Sequence, residues 1–182
     1  REVRPSSVWY ESRKEFGPDQ VGTELPVHKN TGFALLQGPA QFEGEILGGC
    51  IDSMYEMFSG WRYGDMPEVC RNYGLFPDLD DWRGKILLLE SCEEYMPPET
   101  YKKALETLKD TGVFDVVSGV LVGKPMDEVY AAEYKKLLAG VIANKELPIV
   151  CNLNIGHALP RCIVPLGVPA RVDVQAQKIE FL

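Results

Sequence analysis

Two residues combine the type and the position that acid–base chemistry needs, Glu90 and His157. Glu90 directly follows the apolar run 86–89 (ILLL), and His157 lies shortly after the run 148–151 (PIVC). A carboxylate at the end of a buried strand is costly unless it is hydrogen-bonded or charge-paired. A carboxylate that orients an imidazole supplies two members of a nucleophilic triad. We therefore expect the Glu90 carboxylate within hydrogen-bond reach of the His157 ring.

Both residues also have a plainer interpretation. Glu90 could equally be a helix-cap or edge acid that reaches solvent, and His157 could be a loop histidine satisfied by its neighbours. The second histidine of the chain, His28, lies in a polar segment and is expected at the surface.

The nucleophile of such a triad is missing from the chain. No Gly-x-Ser-x-Gly elbow occurs. Ser118 lies inside an apolar run, a poor place for an exposed hydroxyl, and Ser91 is better suited to capping a turn. Cys92 is a conceivable thiol nucleophile, but the acidic residues around it favour a raised thiol pKa. The chain alone thus offers a base and an orienting acid with nothing to activate.

Alternating apolar strands and amphipathic helices must position this pair. The pattern predicts strands at 33–38, 42–47, 85–89, within 113–122, and at 148–151, short β segments at 161–164, 170–174 and 178–182, and helices at 50–58, 97–111 and 126–143. This order indicates an α/β fold, with a small, mostly parallel sheet built from βαβ units and helices packed on it. In such sheets catalytic groups gather at the carboxyl ends of the strands.

Two segments fall outside this pattern. Residues 1–31 are polar and rich in breakers, and the chain opens without Met. We interpret them as an irregular leader from a missing N-terminal domain, and residues 32–182 as a C-terminal domain. Residues 61–81 form a long excursion rich in Gly, Pro and aromatic residues, and loops of that length are often functional or interfacial.

Composition excludes several classes of function. The net charge of −8 disfavours a nucleic-acid polymer or an anionic membrane as partner. No apolar run approaches the ~20 residues of a membrane span, and no signal peptide is visible. The odd count of five cysteines favours a reduced, cytoplasmic protein. Because neither a Cys/His metal spacing nor a phosphate-binding glycine motif occurs, we expect no metal and no cofactor.

Four stretches of the sequence resemble the C-terminal domain of the LD-carboxypeptidase family of serine peptidases, which includes the microcin C immunity peptidases. They are residues 44–50 (GEILGGC), 85–94 (KILLLESCEE), 152–157 (NLNIGH) and 165–167 (PLG). The resemblance runs from about Gly32 to the end of the chain, and more loosely through residues 5–9.

The resemblance implies a Ser-Glu-His triad assembled across a domain interface. Glu90 would orient the imidazole, His157 would be the general base, and the serine would come from the protein's own N-terminal domain. This half alone would then be inactive. Family precedent and the aromatic excursion suggest a homodimer.

The resemblance extends to two branches of the family, and each branch implies a different substrate. The proline-bearing stretch 90–99 and residues 123–125 look more like the immunity branch, which hydrolyses the amide of peptidyl- or aminoacyl-nucleotides. In that branch Trp9 and Cys50 are candidate substrate contacts. The alternatives are a murein LD-carboxypeptidase that trims cell-wall tetrapeptides, a non-catalytic ligand-binding module, and a thiol enzyme that uses Cys92.

Overall fold

Four parallel strands lie at the centre of the structure. Three of them, Ile86–Glu90, Gly119–Gly123 and Ile149–Leu153, are almost entirely apolar because both of their faces are covered. The computed structural model describes residues 1–182. The strands are β1 (Glu2–Val3), β2 (Val8–Tyr10), β3 (Val27–Lys29), β4 (Ala34–Gln37), β5 (Gln41–Cys50), β6 (Ile86–Glu90), β7 (Gly119–Gly123), β8 (Ile149–Leu153), β9 (Pro169–Asp173) and β10 (Lys178–Phe181).

Six α-helices connect or cover these strands. They are α1 (Ile51–Ser59), α2 (Met66–Tyr73), α3 (Leu79–Trp82), α4 (Pro98–Asp110), α5 (Val113–Val116) and α6 (Ala131–Val141). Two single 3₁₀ turns occur at Pro18–Gln20 and Met126–Glu128. No helix is long and apolar enough to cross a membrane.

Eight of the strands form one mixed sheet in the order β1-β10-β9-β5-β6-β7-β8-β4. β5 to β8 run parallel to one another, whereas β4 and the β9-β10-β1 group extend the two edges in antiparallel fashion. The predicted α/β class is confirmed. The sheet is larger than expected, because short antiparallel strands extend both of its edges.

Strand β6 is buried on both faces of the sheet, which explains its uninterrupted run of apolar residues. Leu87 and Leu89 belong to a cluster of 22 buried residues on one face of the sheet. Ile86 and Leu88 belong to a second cluster of 12 on the other face. Successive side chains of a strand point to opposite faces, so burial of both faces requires an apolar residue at every position. The polar residue that ends this run, Glu90, therefore needs a specific partner.

Helix α4 packs its predicted apolar face against the side of the sheet that holds the 22-residue cluster. Tyr101, Ala104, Leu105 and Leu108 are buried, with the spacing of one helical face. The ring of Tyr101 stacks on Tyr134 of α6, with ring centroids 3.9 Å apart. These contacts join two crossover helices on the same face of the sheet.

The leader contains more regular structure than its sequence suggested. β1 pairs with β10 at the edge of the main sheet, and β2 pairs with β3 in a separate two-stranded sheet. The leader also contacts the rest of the chain, since Tyr10 N–H donates to the Leu159 carbonyl at 2.9 Å. This contact lies close in sequence to His157.

Three predicted elements differ from the structure. Residues 61–81 contain α2 and α3, because Pro67 opens a helical turn and Gly74, at φ +59°, ends it. The strand expected within 113–122 is β7, which follows the short helix α5 and a turn. The helix predicted from residue 126 begins at Ala131, because Asp127, Glu128 and Tyr130 all have positive φ. Residues 161–164 form no strand; only Cys162 N–H pairs there, with the Asn154 carbonyl.

The fully buried Leu105 provides a test of the α4 packing. We expect Leu105→Ala to lower the free energy of unfolding by about 2–5 kcal/mol, because it leaves a cavity among well-packed neighbours. Urea denaturation measures the change. Lys103→Ala on the exposed face of the same helix is the matched control, and we expect it to stay within about 0.5 kcal/mol of the parent. Equal effects of the two substitutions would contradict this packing.

Candidate active site

The carboxyl ends of β6 and β8 bring Glu90 and His157 together. Glu90 Oε2 lies 2.9 Å from His157 Nδ1. An ionised carboxylate only accepts hydrogen bonds, so the Nδ1 N–H donates and Nε2 is left as the basic nitrogen. The distance agrees with the expected hydrogen bond. The arrangement can orient the imidazole through Nδ1.

Two glycines make room for this hydrogen bond across an intervening strand. β7 lies between β6 and β8, and its last residue, Gly123, has no side chain to block the path. A Cβ at Gly123 would lie 3.0 Å from the Glu90 Cβ. At Gly156, where φ is +74°, a Cβ would lie 2.3 Å from Glu90 Oε2. A side chain at Gly156 would therefore both strain the backbone and displace the carboxylate.

A buried network of amides holds the loop that carries His157. The Asn152 amide donates to Asn30 Oδ1 at 3.1 Å and to the Gly32 carbonyl at 2.6 Å. The Asn30 amide donates to Asn154 Oδ1 at 3.1 Å, and the Asn154 amide donates to the Pro160 carbonyl at 3.3 Å. Buried polar groups that satisfy one another fix a unique arrangement. The network thus joins the leader to both ends of the histidine loop.

Asp127 ties three segments together beside the site. Its carboxylate accepts hydrogen bonds from Ser12 N–H at 2.6 Å, from Ser12 Oγ and the Tyr95 hydroxyl at 2.7 Å each, and from the Lys14 ammonium. Burial on its own would raise the pKa of Asp127, but the hydrogen bonds from Lys14, Ser12 and Tyr95 outweigh it and lower the pKa to about 2. The leader and the segment after Glu90 are thereby held to the loop that follows β7.

Cys50, a predicted substrate contact, lies at the end of β5 beside Glu90. Cys50 and Glu90 are partners in the parallel register of β5 and β6. The Cys50 thiol donates to Asp52 Oδ2 at 3.5 Å, and Cys92 N–H donates to the same oxygen at 3.1 Å. Burial raises the thiol pKa of Cys50 to about 12 and that of Cys92 to about 11. Both thiols are therefore protonated at neutral pH, which disfavours Cys92 as a nucleophile.

Trp9, the other predicted substrate contact, is largely buried, with an exposed fraction of 8%. Its indole stacks on the His28 ring, with centroids 4.3 Å apart and planes 19° from parallel. The Lys124 ammonium lies 5.3 Å from the indole centroid, within cation–π range. His28, expected at the surface, also lies 2.8 Å from Glu11 through Nε2. Trp9 and Cys50 thus lie on different strands, β2 and β5.

The excursion, residues 61–81, contributes Arg62, which the sequence analysis did not single out. The buried Glu56 carboxylate accepts hydrogen bonds from the backbone N–H of Tyr63 at 2.8 Å and of Arg62 at 3.1 Å. The Arg62 guanidinium then pairs with Glu94, four residues after Glu90. The pairing of Arg62 with Glu94 could not be predicted from a local sequence pattern, because the two residues lie 32 positions apart in the chain.

Glu93 is a second residue that the sequence analysis missed as a site residue. Its Oε2 lies 3.0 Å from His157 Nε2. The two ring nitrogens of His157 therefore face two carboxylates, Glu90 on Nδ1 and Glu93 on Nε2. The cluster of acids in residues 90–94 was a visible feature, but only the fold shows which acid faces which nitrogen.

A family model, the LD-carboxypeptidase C-terminal domain, matches residues 43–172 and thus includes both members of this pair. The chain belongs to the LD-carboxypeptidase C-terminal domain family. The predicted resemblance is confirmed. Within that family, it is similar to the microcin C7 self-immunity protein MccF of Escherichia coli, with 23% identity over 95% of this chain and 46% of the relative. It spans about half the length of the curated relatives that it matches.

Solved structures give the same answer on the fold. An MccF-like protein from Streptococcus pneumoniae, solved in complex with AMP, is 58% identical. It aligns with all of this chain and 52% of its own, at a TM-score of 0.97. An MccF-like protein from Bacillus anthracis is 21% identical, with a TM-score of 0.73, and covers 100% of this chain and 50% of its own. The second likeness shows the shared fold alone.

The Asp127 cluster predicts a specific dependence of stability on pH. Folding lowers the pKa of the Asp127 carboxyl from 3.8 to about 2. The ionised carboxylate therefore stabilises the fold fully above pH 4, and this stabilisation is lost as the pH falls toward 2. We expect this loss to be on the order of 1–2 kcal/mol, reduced from the full linkage value by solvent screening. Urea denaturation at pH 5, 4, 3 and 2 measures it.

Asp127→Asn removes the titrating group, so its stability curve should be flatter than that of the parent over this range. Asp110→Asn is the matched control, since that side chain is exposed at the end of α4 and makes no hydrogen bond. Parallel curves for the parent and Asp127→Asn would show that the cluster does not stabilise the fold through its charge.

Proposed function

We propose that this chain is the C-terminal half of a serine peptidase that hydrolyses an amide bond. The observation that carries the proposal is the hydrogen bond of 2.9 Å between Glu90 and His157 Nδ1 at the carboxyl edge of the sheet. The serine would come from the protein's own N-terminal domain. The coverage of 46% and 47% of the first two curated relatives supports such a further domain.

In the proposed mechanism, His157 Nε2 takes the proton from the serine hydroxyl as the oxygen attacks the carbonyl carbon. Glu90 keeps the imidazole in the tautomer with the proton on Nδ1, and it stabilises the imidazolium that forms. The imidazolium then protonates the leaving nitrogen. Water, activated by the same histidine, hydrolyses the acyl-enzyme and restores the serine.

The proposed substrate is a peptidyl- or aminoacyl-nucleotide. This proposal is supported by the similarity to the microcin C7 self-immunity protein and by the AMP complex of the pneumococcal protein. Trp9 would contribute to the nucleoside side of the site, together with His28, which stacks on it. Cys50, paired in register with Glu90, would lie on the acyl side. A murein LD-carboxypeptidase is the second candidate, supported by the membership of residues 43–172 in the LD-carboxypeptidase C-terminal domain family.

We also propose a cytoplasmic homodimer. The five free cysteines suit a reducing compartment. The exposed aromatic residues Trp61, Tyr63 and Tyr73 are concentrated in the excursion, where an apolar interface is the simplest reason for them.

The catalytic roles are tested in the full-length protein with its N-terminal domain. We expect Glu90→Gln and His157→Ala each to lower kcat/KM for an aminoacyl sulfamoyl adenosine by at least about 10²–10⁴-fold, the contribution of general-base catalysis. The thermal midpoint checks that each variant is folded. Glu146→Gln, an exposed acid remote from the site, is the matched control for Glu90→Gln.

Near-normal turnover by either variant would refute the triad. A parent enzyme that cleaves cell-wall tetrapeptides but not the nucleotide compound would keep the mechanism and select the second candidate. Binding without hydrolysis of either compound by the full-length parent would favour the non-catalytic ligand-binding module.

A further inference from the structure

Trp9 and His28 face each other across the small two-stranded sheet. They are direct partners in the antiparallel register of β2 and β3. Their rings are stacked, with centroids 4.3 Å apart and planes 19° from parallel. A flat heterocyclic ligand stacks on an aromatic side chain in the same geometry. The position that such a ligand would take over the indole is therefore filled by a side chain of the protein itself.

The indole of Trp9 offers no open face to a ligand. Its exposed fraction is 8%, whereas stacking requires that one face of the ring be accessible. Besides the His28 ring, the Lys124 ammonium lies over the indole, 5.3 Å from its centroid. One of these two neighbours must move before another ring can stack on Trp9.

Lys124 is fixed in its place beside the indole. Its side chain is 1% exposed, and its ammonium pairs with Glu128. Its backbone N–H donates to the Leu153 carbonyl at 2.7 Å, which ties it to the end of β8. The ammonium needs the Glu128 carboxylate, because a buried charge without a partner is costly. Lys124 therefore stays in place and supports the indole.

The His28 ring, in contrast, is held by contacts at the surface. Its side chain is 42% exposed and makes one ion pair, with Glu11, whose own side chain is 37% exposed. Exposed ion pairs of this kind contribute little to stability. All three residues of β3 are exposed, so the ring can rotate into solvent without disturbing the core. His28 is therefore the neighbour that can leave.

We propose that His28 occupies a binding position for a flat aromatic ring on Trp9, and that the ring of a ligand displaces it. This inference rests on the proposed function and deepens it: the displacing ring would be the heterocyclic base of the nucleotide. The free protein covers its own aromatic platform, and the ligand exchanges one stacked ring for another. The affinity for the base is thus lowered by the stacking interaction that His28 gives up.

The experiment measures the equilibrium Kd of AMP and of ribose 5-phosphate with the full-length protein. The two ligands share the sugar and the phosphate and differ in the base. His28→Ala removes the ring over the indole, whereas His28→Phe keeps one there. Lys29→Ala is the matched control, because Lys29 is the next residue of the same strand and is also exposed. The thermal midpoint checks that each variant is folded.

We expect His28→Ala to bind AMP about 2- to 10-fold more tightly than the parent, the range that one aromatic stack supports. Its affinity for ribose 5-phosphate should stay at the parental value. His28→Phe should gain less than His28→Ala, because its ring still covers the indole, and Lys29→Ala should match the parent. An unchanged or weaker affinity of His28→Ala for AMP, or an equal gain for ribose 5-phosphate, would overturn the inference.

Binding and hydrolysis together separate this inference from the proposed function. Tighter AMP binding by His28→Ala, with no hydrolysis of an aminoacyl sulfamoyl adenosine by the parent, would support the displaced ring and refute the peptidase. Hydrolysis that His157→Ala abolishes, with equal Kd values of the parent and His28→Ala for AMP, would support the peptidase and refute the displacement. Failure of all these proteins to bind AMP would also refute the displacement.

Discussion

The cost of burying a charge at the end of an apolar strand is the constraint on which the site depends. Glu90 is the only charged residue of β6, and its side chain is 13% exposed. A carboxylate in that position needs a partner that donates a strong hydrogen bond. His157 supplies it from the far side of β7, which is possible only because Gly123 and Gly156 leave the space between them open.

The polar groups that hold the neighbouring loops in place meet the same requirement, because each of them has a hydrogen-bond partner. The leader is joined to the histidine loop by the amides of Asn30, Asn152 and Asn154, and to the loop after β7 by Asp127. These networks replace apolar packing at an edge of the sheet where the chain must stay accessible. Their satisfaction holds the loops in place without covering the imidazole, whose side chain is 32% exposed.

Much of the fold was readable from the sequence, because its central elements have one dominant pattern each. The continuous apolar run of β6 and the helical stripe of α4 have few alternatives, and both occur where expected. The errors occurred where local conformation overrides pattern. Positive φ at Asp127 and Tyr130 delays the start of α6, and two short helices in the excursion have too few residues for a clear period.

By itself the sequence determined the fold class, the family and the closeness of Glu90 to His157, because strand ends of a parallel sheet share one edge. Only the tertiary structure decided what surrounds that pair. Glu93 faces Nε2, Arg62 neutralises Glu94, and Trp9 is covered by His28. These are contacts between side chains of separate loops, and their geometry depends on how the loops pack together. Residue type and spacing along the chain carry no information about that packing.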